Sequence, residues 1–178
     1  VGLRQVTGCK SKDYTSVQRN FSAALSTPPV FNFQAITVTG ATNPKLKSKN
    51  QHGILLEVKD HSIYIHIPFC NHRCSYCDFN TYTGLEKLIP TYVQALCAEI
   101  EAAGAKGGRL PVHTIFFGGG TPSLLSPFEL DQLLKALNRS FKLANQTEIT
   151  LEANPGTLSL AYLQDLRRLG INRLSLGL

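Results

Sequence analysis

Methionine is absent from the 178 residues and the first residue is Val1, which predicts a piece of a longer protein. No apolar run approaches the roughly 18 residues that a membrane span needs, so no transmembrane segment is expected. A secretory signal, with its basic start and apolar stretch of roughly 7 to 15 residues, is missing too. Acids are scarce at the start. The first 50 residues hold Asp13 as their single acid, against 15 Ser, Thr or Asn, with no sustained helical or strand periodicity. That composition predicts a disordered or poorly structured basic leader over 1–59. It suits either an organelle transit peptide or an upstream extension from an over-long gene model; the lack of an amphipathic arginine helix favours the extension.

The formal charge of +6 is confined to this leader, since residues 1–59 carry 8 basic and 2 acidic side chains and residues 60–178 carry 10 of each. Lys45, Lys47 and Lys49 have no aromatic or arginine residues interleaved, so nucleic acid is not expected as a partner. Hydrophobic content of 43% with 17% charged residues leaves enough apolar material for one core over 60–178. A disulfide framework is also missing. Three of the five cysteines fall within eight positions, which points to metal or redox chemistry in a reducing compartment, the cytoplasm or an organelle matrix.

What is present is an alternation of strands and helices. Ser62 to Ile67 alternates, with Ile63, Ile65 and Ile67 on one face and Tyr64 and His66 on the other, before Pro68 stops the strand. A helix opens near Pro90 with Val93, Leu96, Cys97 and Ile100 on one face, and is expected to break at Gly104, Gly107 and Gly108. Val112 to Phe117 predicts a second strand. Ser126-Pro127-Phe128-Glu129 has the form of a capping box, followed by a stripe of Leu130, Leu133, Leu134, Leu137 and Phe141. Thr147 to Leu151 predicts a third strand, and Leu160, Leu163, Leu166 and Leu169 a third helix closed by Gly170. A fourth strand is expected from Ile171. This βαβαβαβ order implies parallel strands with right-handed crossovers, in a barrel or an open sheet.

Functional loops in such folds sit at the carboxyl ends of the strands. Three unusual segments fall there: Cys70, Cys74 and Cys77; Gly118, Gly119, Gly120, Thr121 and Pro122; and Glu152, Asn154 and Pro155. They are expected to meet on one rim. Cysteine spacings of four and three suit a polynuclear cluster better than a single ion, because structural zinc sites are usually built from two paired knuckles and no second pair exists. His72 as a fourth zinc ligand stays open as the alternative. Glycines at a strand end let backbone approach a ligand closely. Glu152 at the end of a buried strand needs a partner, for which a ribose diol is a natural candidate, although a surface glutamate with no role has the same spacing.

Tyr64-Ile65-His66-Ile67-Pro68-Phe69-Cys70 and Cys74-Ser75-Tyr76-Cys77-Asp78-Phe79, with Gly118 to Ser123 and Leu151 to Pro155, resemble the signature of radical S-adenosylmethionine proteins in the anaerobic coproporphyrinogen III oxidase-like branch. The resemblance covers 62–178. It implies an incomplete parallel (βα) barrel, the first three to four units of an α/β core, in which Cys70, Cys74 and Cys77 hold a 4Fe-4S cluster whose open iron is chelated by S-adenosylmethionine. It further implies that Tyr64 and Tyr76 lie beside that cofactor, that Gly119, Gly120 and Thr121 bind it, and that Glu152 holds its ribose. Oxidases of this branch have a further cysteine two residues after the third. Here that position is Phe79, an ending similar to that of haem chaperones of the HemW type, which implies haem as cargo, an acceptor protein and an electron donor. Oxygen-independent oxidative decarboxylation of coproporphyrinogen III is the alternative that the same branch implies.

Overall fold

The computed structural model describes residues 35–49 and 55–177, and the reading of residues 1–34 as a leader lies outside them. Five strands, β1 (Ile36–Lys49), β2 (Leu55–Ile67), β3 (Pro111–Gly119), β4 (Lys142–Ala153) and β5 (Arg173–Leu176), form one sheet in chain order. From β2 to β5 every pairing is parallel, and the crossovers are α1 (Ile89–Gly107), α2 (Pro127–Ser140) and α3 (Leu160–Arg168). The expected βαβαβαβ run is therefore present, and the sheet has the mostly parallel order of an incomplete barrel.

The first strand is a correction. Residues 36–49 fall in the stretch expected to be poorly structured, yet they pair antiparallel with β2, Ile36 opposite Ile65 and Val38 opposite Ile63. Ile36-Thr37-Val38-Thr39 alternates apolar and polar β-branched residues, a short strand signal that the Ser-, Thr- and Asn-rich surroundings hide, and pairing with β2 extends it. Its start is fastened from the helical layer as well, where the Ile36 amide donates to Glu99 Oε1 at 3.2 Å.

One face of the sheet carries the core. Ile63, Ile65 and Ile67 of β2, Ile115 and Phe117 of β3 and Leu151 of β4 pack with Val93, Leu96 and Ile100 of α1 and Leu130, Leu133 and Leu137 of α2. Each such side chain contributes about 1.5–3 kcal/mol on burial. Tyr64, His66, Phe116 and Glu152, which alternate with these core residues, are only half-buried, and Thr150 is the fully buried polar residue on their side. Period-2 alternation thus separates a structural face from a chemical one.

Helix ends follow local chemistry. Ser126 Oγ accepts the Glu129 amide at 3.3 Å while Glu129 Oε2 accepts the Ser126 amide at 2.7 Å, completing the expected capping box. The expected break at Gly104 does not occur: α1 runs through it to Gly107, and Gly108 ends it in the left-handed conformation at φ 67°. Gly104 serves the helix contact instead, because a Cβ there would lie 2.5 Å from Ser140 Cβ and 2.7 Å from its carbonyl oxygen. In α3 only Leu166 is fully buried, and Leu160, placed in the expected stripe, is exposed.

Two outcomes follow from this packing. Gly104→Ala forces α1 and α2 apart and should cost about 1–3 kcal/mol, read as a lower urea midpoint. Burial pushes the Glu99 carboxyl up, against the lowering effect of the Ile36 and Ala35 amides. With the folded value raised, stability from this group is present below the ordinary carboxylate range, about pH 4.3, and declines as pH rises through the folded value. Glu99→Gln keeps an acceptor for Ile36 without the charge, so it should raise the urea midpoint at pH 7 relative to wild type and shrink that difference toward pH 4.

Candidate functional site

The three segments expected on one rim meet there. Beyond the last residue of β3, the Gly120 amide donates to Ile67 O at 2.8 Å and the Thr121 amide to Phe69 O at 2.7 Å, so the pairing of β2 with β3 continues into the loops. Thr121 Oγ1 then stands 3.7 Å from Cys70 Sγ. From the other side, the Gly119 amide donates to Glu152 Oε2 at 3.0 Å. Glycine is required at two of these positions. Gly119 has φ 114° and a Cβ there would strike the His66 ring at 2.5 Å; at Gly120 a Cβ would lie 2.6 Å from Phe69 O, 2.9 Å from Ile67 O and 3.0 Å from Cys70 Sγ.

The cysteine loop is fastened at its base. Cys70 N donates to Tyr82 O at 2.9 Å and Tyr82 N to Pro68 O at 2.7 Å, closing a loop that contains Cys74 and Cys77. Phe69 is buried beneath it, edge-on to Tyr92 at 5.3 Å. Cys70 is buried at this base, Cys77 is half-buried and Cys74 is exposed. Among the described residues no three His, Cys, Asp or Glu side chains gather at ion-binding range, so the loop carries the thiols together in sequence without drawing them to one point. Tyr76 is exposed on the same loop, and its hydroxyl is raised above the ordinary tyrosine range by a hydrogen bond to Cys74 and the nearby charges of Cys74 and Cys77. His72 is exposed as well.

Tyr64 lies on the chemical face, stacked on Phe116 at 6.0 Å, and burial followed by the Glu152 carboxylate pushes its hydroxyl up, which keeps it protonated. Its oxygen is 3.2 Å from His66 Nδ1, and His66 Nε2 is 3.0 Å from Asn80 O. A carbonyl only accepts, so in this bond Nε2 carries the hydrogen; neutral His66 then accepts from Tyr64 at Nδ1. His66 thereby joins strand β2 to the far end of the cysteine loop, and its place beside Tyr64 in the strand alternation was the signal for this. Glu152 Oε2 is held by Gly119, whereas Oε1 has no hydrogen bond among the described residues and can accept from a ligand.

These residues fit a cluster with a chelating cofactor. Thiolates are the ligands that iron–sulfur clusters take, the glycine-lined surface beside Cys70 admits no Cβ, and Glu152 keeps an open acceptor oxygen on the same rim. Residues 64–178 match the radical SAM superfamily, and the chain belongs to that family, which implies a 4Fe-4S cluster and S-adenosylmethionine. Over 120 residues it is 47% identical to the haem chaperone HemW of Synechocystis, covering 64% of this chain and 29% of that protein. Over 117 residues it is 45% identical to HemW of Bacillus subtilis, covering 65% and 31%. Among solved structures, the radical SAM enzyme coproporphyrinogen III oxidase (HemN) of Escherichia coli superposes with a TM-score of 0.61 at 34% identity, over 65% of this chain and 27% of that one. The chain spans roughly a third of the length of these curated relatives. No helix among the described residues is long and apolar enough to cross a membrane.

The packing at Gly120 makes a sharp expectation. Gly120→Ala must move either the Phe69–Cys70 backbone or the loop after β3, so after anaerobic reconstitution iron bound per chain should fall at least several-fold, with the far-ultraviolet circular dichroism retained.

Proposed function

We propose that this chain is the cluster-binding part of a haem chaperone. In this reading Cys70, Cys74 and Cys77 ligate a 4Fe-4S cluster and S-adenosylmethionine occupies the rim. The cofactors, when bound, supply a site for reductive chemistry at the cofactor's sulfonium; the protein supplies position and shields the site from water. Gly119, Gly120 and Thr121 present a close backbone edge, Oε1 of Glu152 accepts from the ribose hydroxyls, and Tyr64 and Tyr76 flank the cofactor. The observation that carries the reading is the meeting of Cys70, the glycine edge and the open carboxylate oxygen of Glu152 at one strand-end rim.

Haem as cargo is supported by the relatives named as haem chaperones and by Phe79, 65% exposed, where the oxidases of this branch have a further cysteine. His66 is a poor haem ligand, because both ring nitrogens already have partners. The oxidase similarity sustains a second reading, oxidative decarboxylation of coproporphyrinogen III. An acceptor protein and an electron donor complete the chaperone scheme, in a reducing compartment such as the cytoplasm.

Both readings are separated by one pair of measurements on the full chain of which these residues are part. Titration of the reconstituted protein with haem should give a saturable, stoichiometric Soret shift, and anaerobic incubation with coproporphyrinogen III, S-adenosylmethionine and reductant should give no decarboxylated product. Product without a haem shift would reverse the choice.

A further inference from the structure

Outside the residues so far given a role, one buried hydroxyl connects two of the three rim segments. Ser123 lies two residues beyond Thr121, in the 3-10 turn Pro122–Leu124, and is almost wholly buried. Its Oγ is 2.5 Å from Thr157 Oγ1 and accepts the Asn154 amide at 3.2 Å. Thr157 Oγ1 in turn donates to Asn154 O at 2.7 Å. A hydroxyl has one hydrogen. Since the Thr157 hydrogen is used on Asn154 O, Ser123 must donate to Thr157, and the directions close into a ring: Asn154 N–H to Ser123, Ser123 O–H to Thr157, Thr157 O–H to Asn154 C=O. A ring of this kind reinforces itself, because each donor is polarised by the bond it accepts.

The ring grips both backbone polar groups of Asn154, which follows Glu152 by two residues. Asn154 is fixed further by its own side chain, whose Oδ1 accepts the Gly156 amide at 3.0 Å. On the other side, Thr121 is tied by its amide to Phe69 O. A single hydroxyl therefore couples the glycine-edge loop, already locked to the cysteine loop, to the strand end that carries Glu152. We infer that Ser123 is a positioning residue for S-adenosylmethionine: through Thr157 and Asn154 it sets where the free Glu152 oxygen stands relative to the glycine edge. The inference rests on the proposed cofactor reading and adds to it the device that holds the ribose-binding carboxylate in register.

The test is equilibrium binding of S-adenosylhomocysteine, by calorimetry, to the full chain reconstituted with its cluster. Ser123→Ala and Thr157→Val should each weaken binding about tenfold, with iron per chain unchanged. Thr157→Ser, which keeps the hydroxyl, should bind as wild type does. In a Glu152→Ala background, Ser123→Ala should cost nothing more, because its effect passes through Glu152. Should Ser123→Ala fail to fold, Thr157→Val carries the comparison. Wild-type affinity in both variants, or effects of Ser123→Ala and Glu152→Ala that add in full, would overturn the positioning role while leaving the cofactor reading intact. Absence of binding by the wild-type protein would overturn that reading, and the positioning role with it.

Discussion

The parallel pairing of β2 with β3 does not stop where the strands stop, and the site depends on that continuation. Two further amides, Gly120 and Thr121, reach back to the carbonyls of Ile67 and Phe69 after the regular ladder has ended at Ile67 and Gly119. Those bonds hold the base of the cysteine loop against the glycine edge at a separation that no Cβ could enter. This backbone approach admits no side chain, because a methyl group placed between two carbonyl oxygens has nowhere to relax.

Around this junction the polar groups are largely used up on one another. Tyr64 points its hydrogen at His66 and His66 at Asn80; Ser123, Thr157 and Asn154 close upon themselves; Gly119 occupies one oxygen of Glu152. Among the described residues, the groups of the rim motifs left to face a ligand include the Cys77 thiol and the other oxygen of Glu152, with Tyr76 and His72 exposed on the cysteine loop. Thiolates suit an iron–sulfur cluster, as they do zinc and copper(I), and a carboxylate oxygen accepts from a hydroxyl donor. Saturating the neighbours is thus itself a form of specificity, since it leaves few groups free to bind the wrong ligand.

Much of this was legible in the sequence because it is written in local chemistry. The alternation of Ile63, Ile65 and Ile67 with Tyr64 and His66, the Ser126–Glu129 capping box and the strand-end placement of the three motifs each follow from short-range rules, and each stands in the structure. The failures share the opposite cause. β1 alternates only over Ile36-Thr37-Val38-Thr39 and then runs into Gly40, Pro44 and three lysines; its length as a strand comes from pairing with β2. Gly104 looked like a helix break because its reason for being glycine sits on another helix, at Ser140. The role of Ser123 was equally hidden, since its partners lie 31 and 34 residues further along the chain.

The charge distribution belongs to the same division between local and distant causes. Residues 60–178 balance ten basic against ten acidic side chains, and ion pairs such as Lys135–Asp131 and Arg139–Glu101 on the helical layer and Arg173–Glu148 between β5 and β4 lie among exposed groups. Exposed pairs of this kind contribute about 0–1 kcal/mol each and are screened by salt. None of them reaches the rim. Selection of ligand at the rim therefore falls to hydrogen-bond direction, thiolate chemistry and the absence of Cβ atoms.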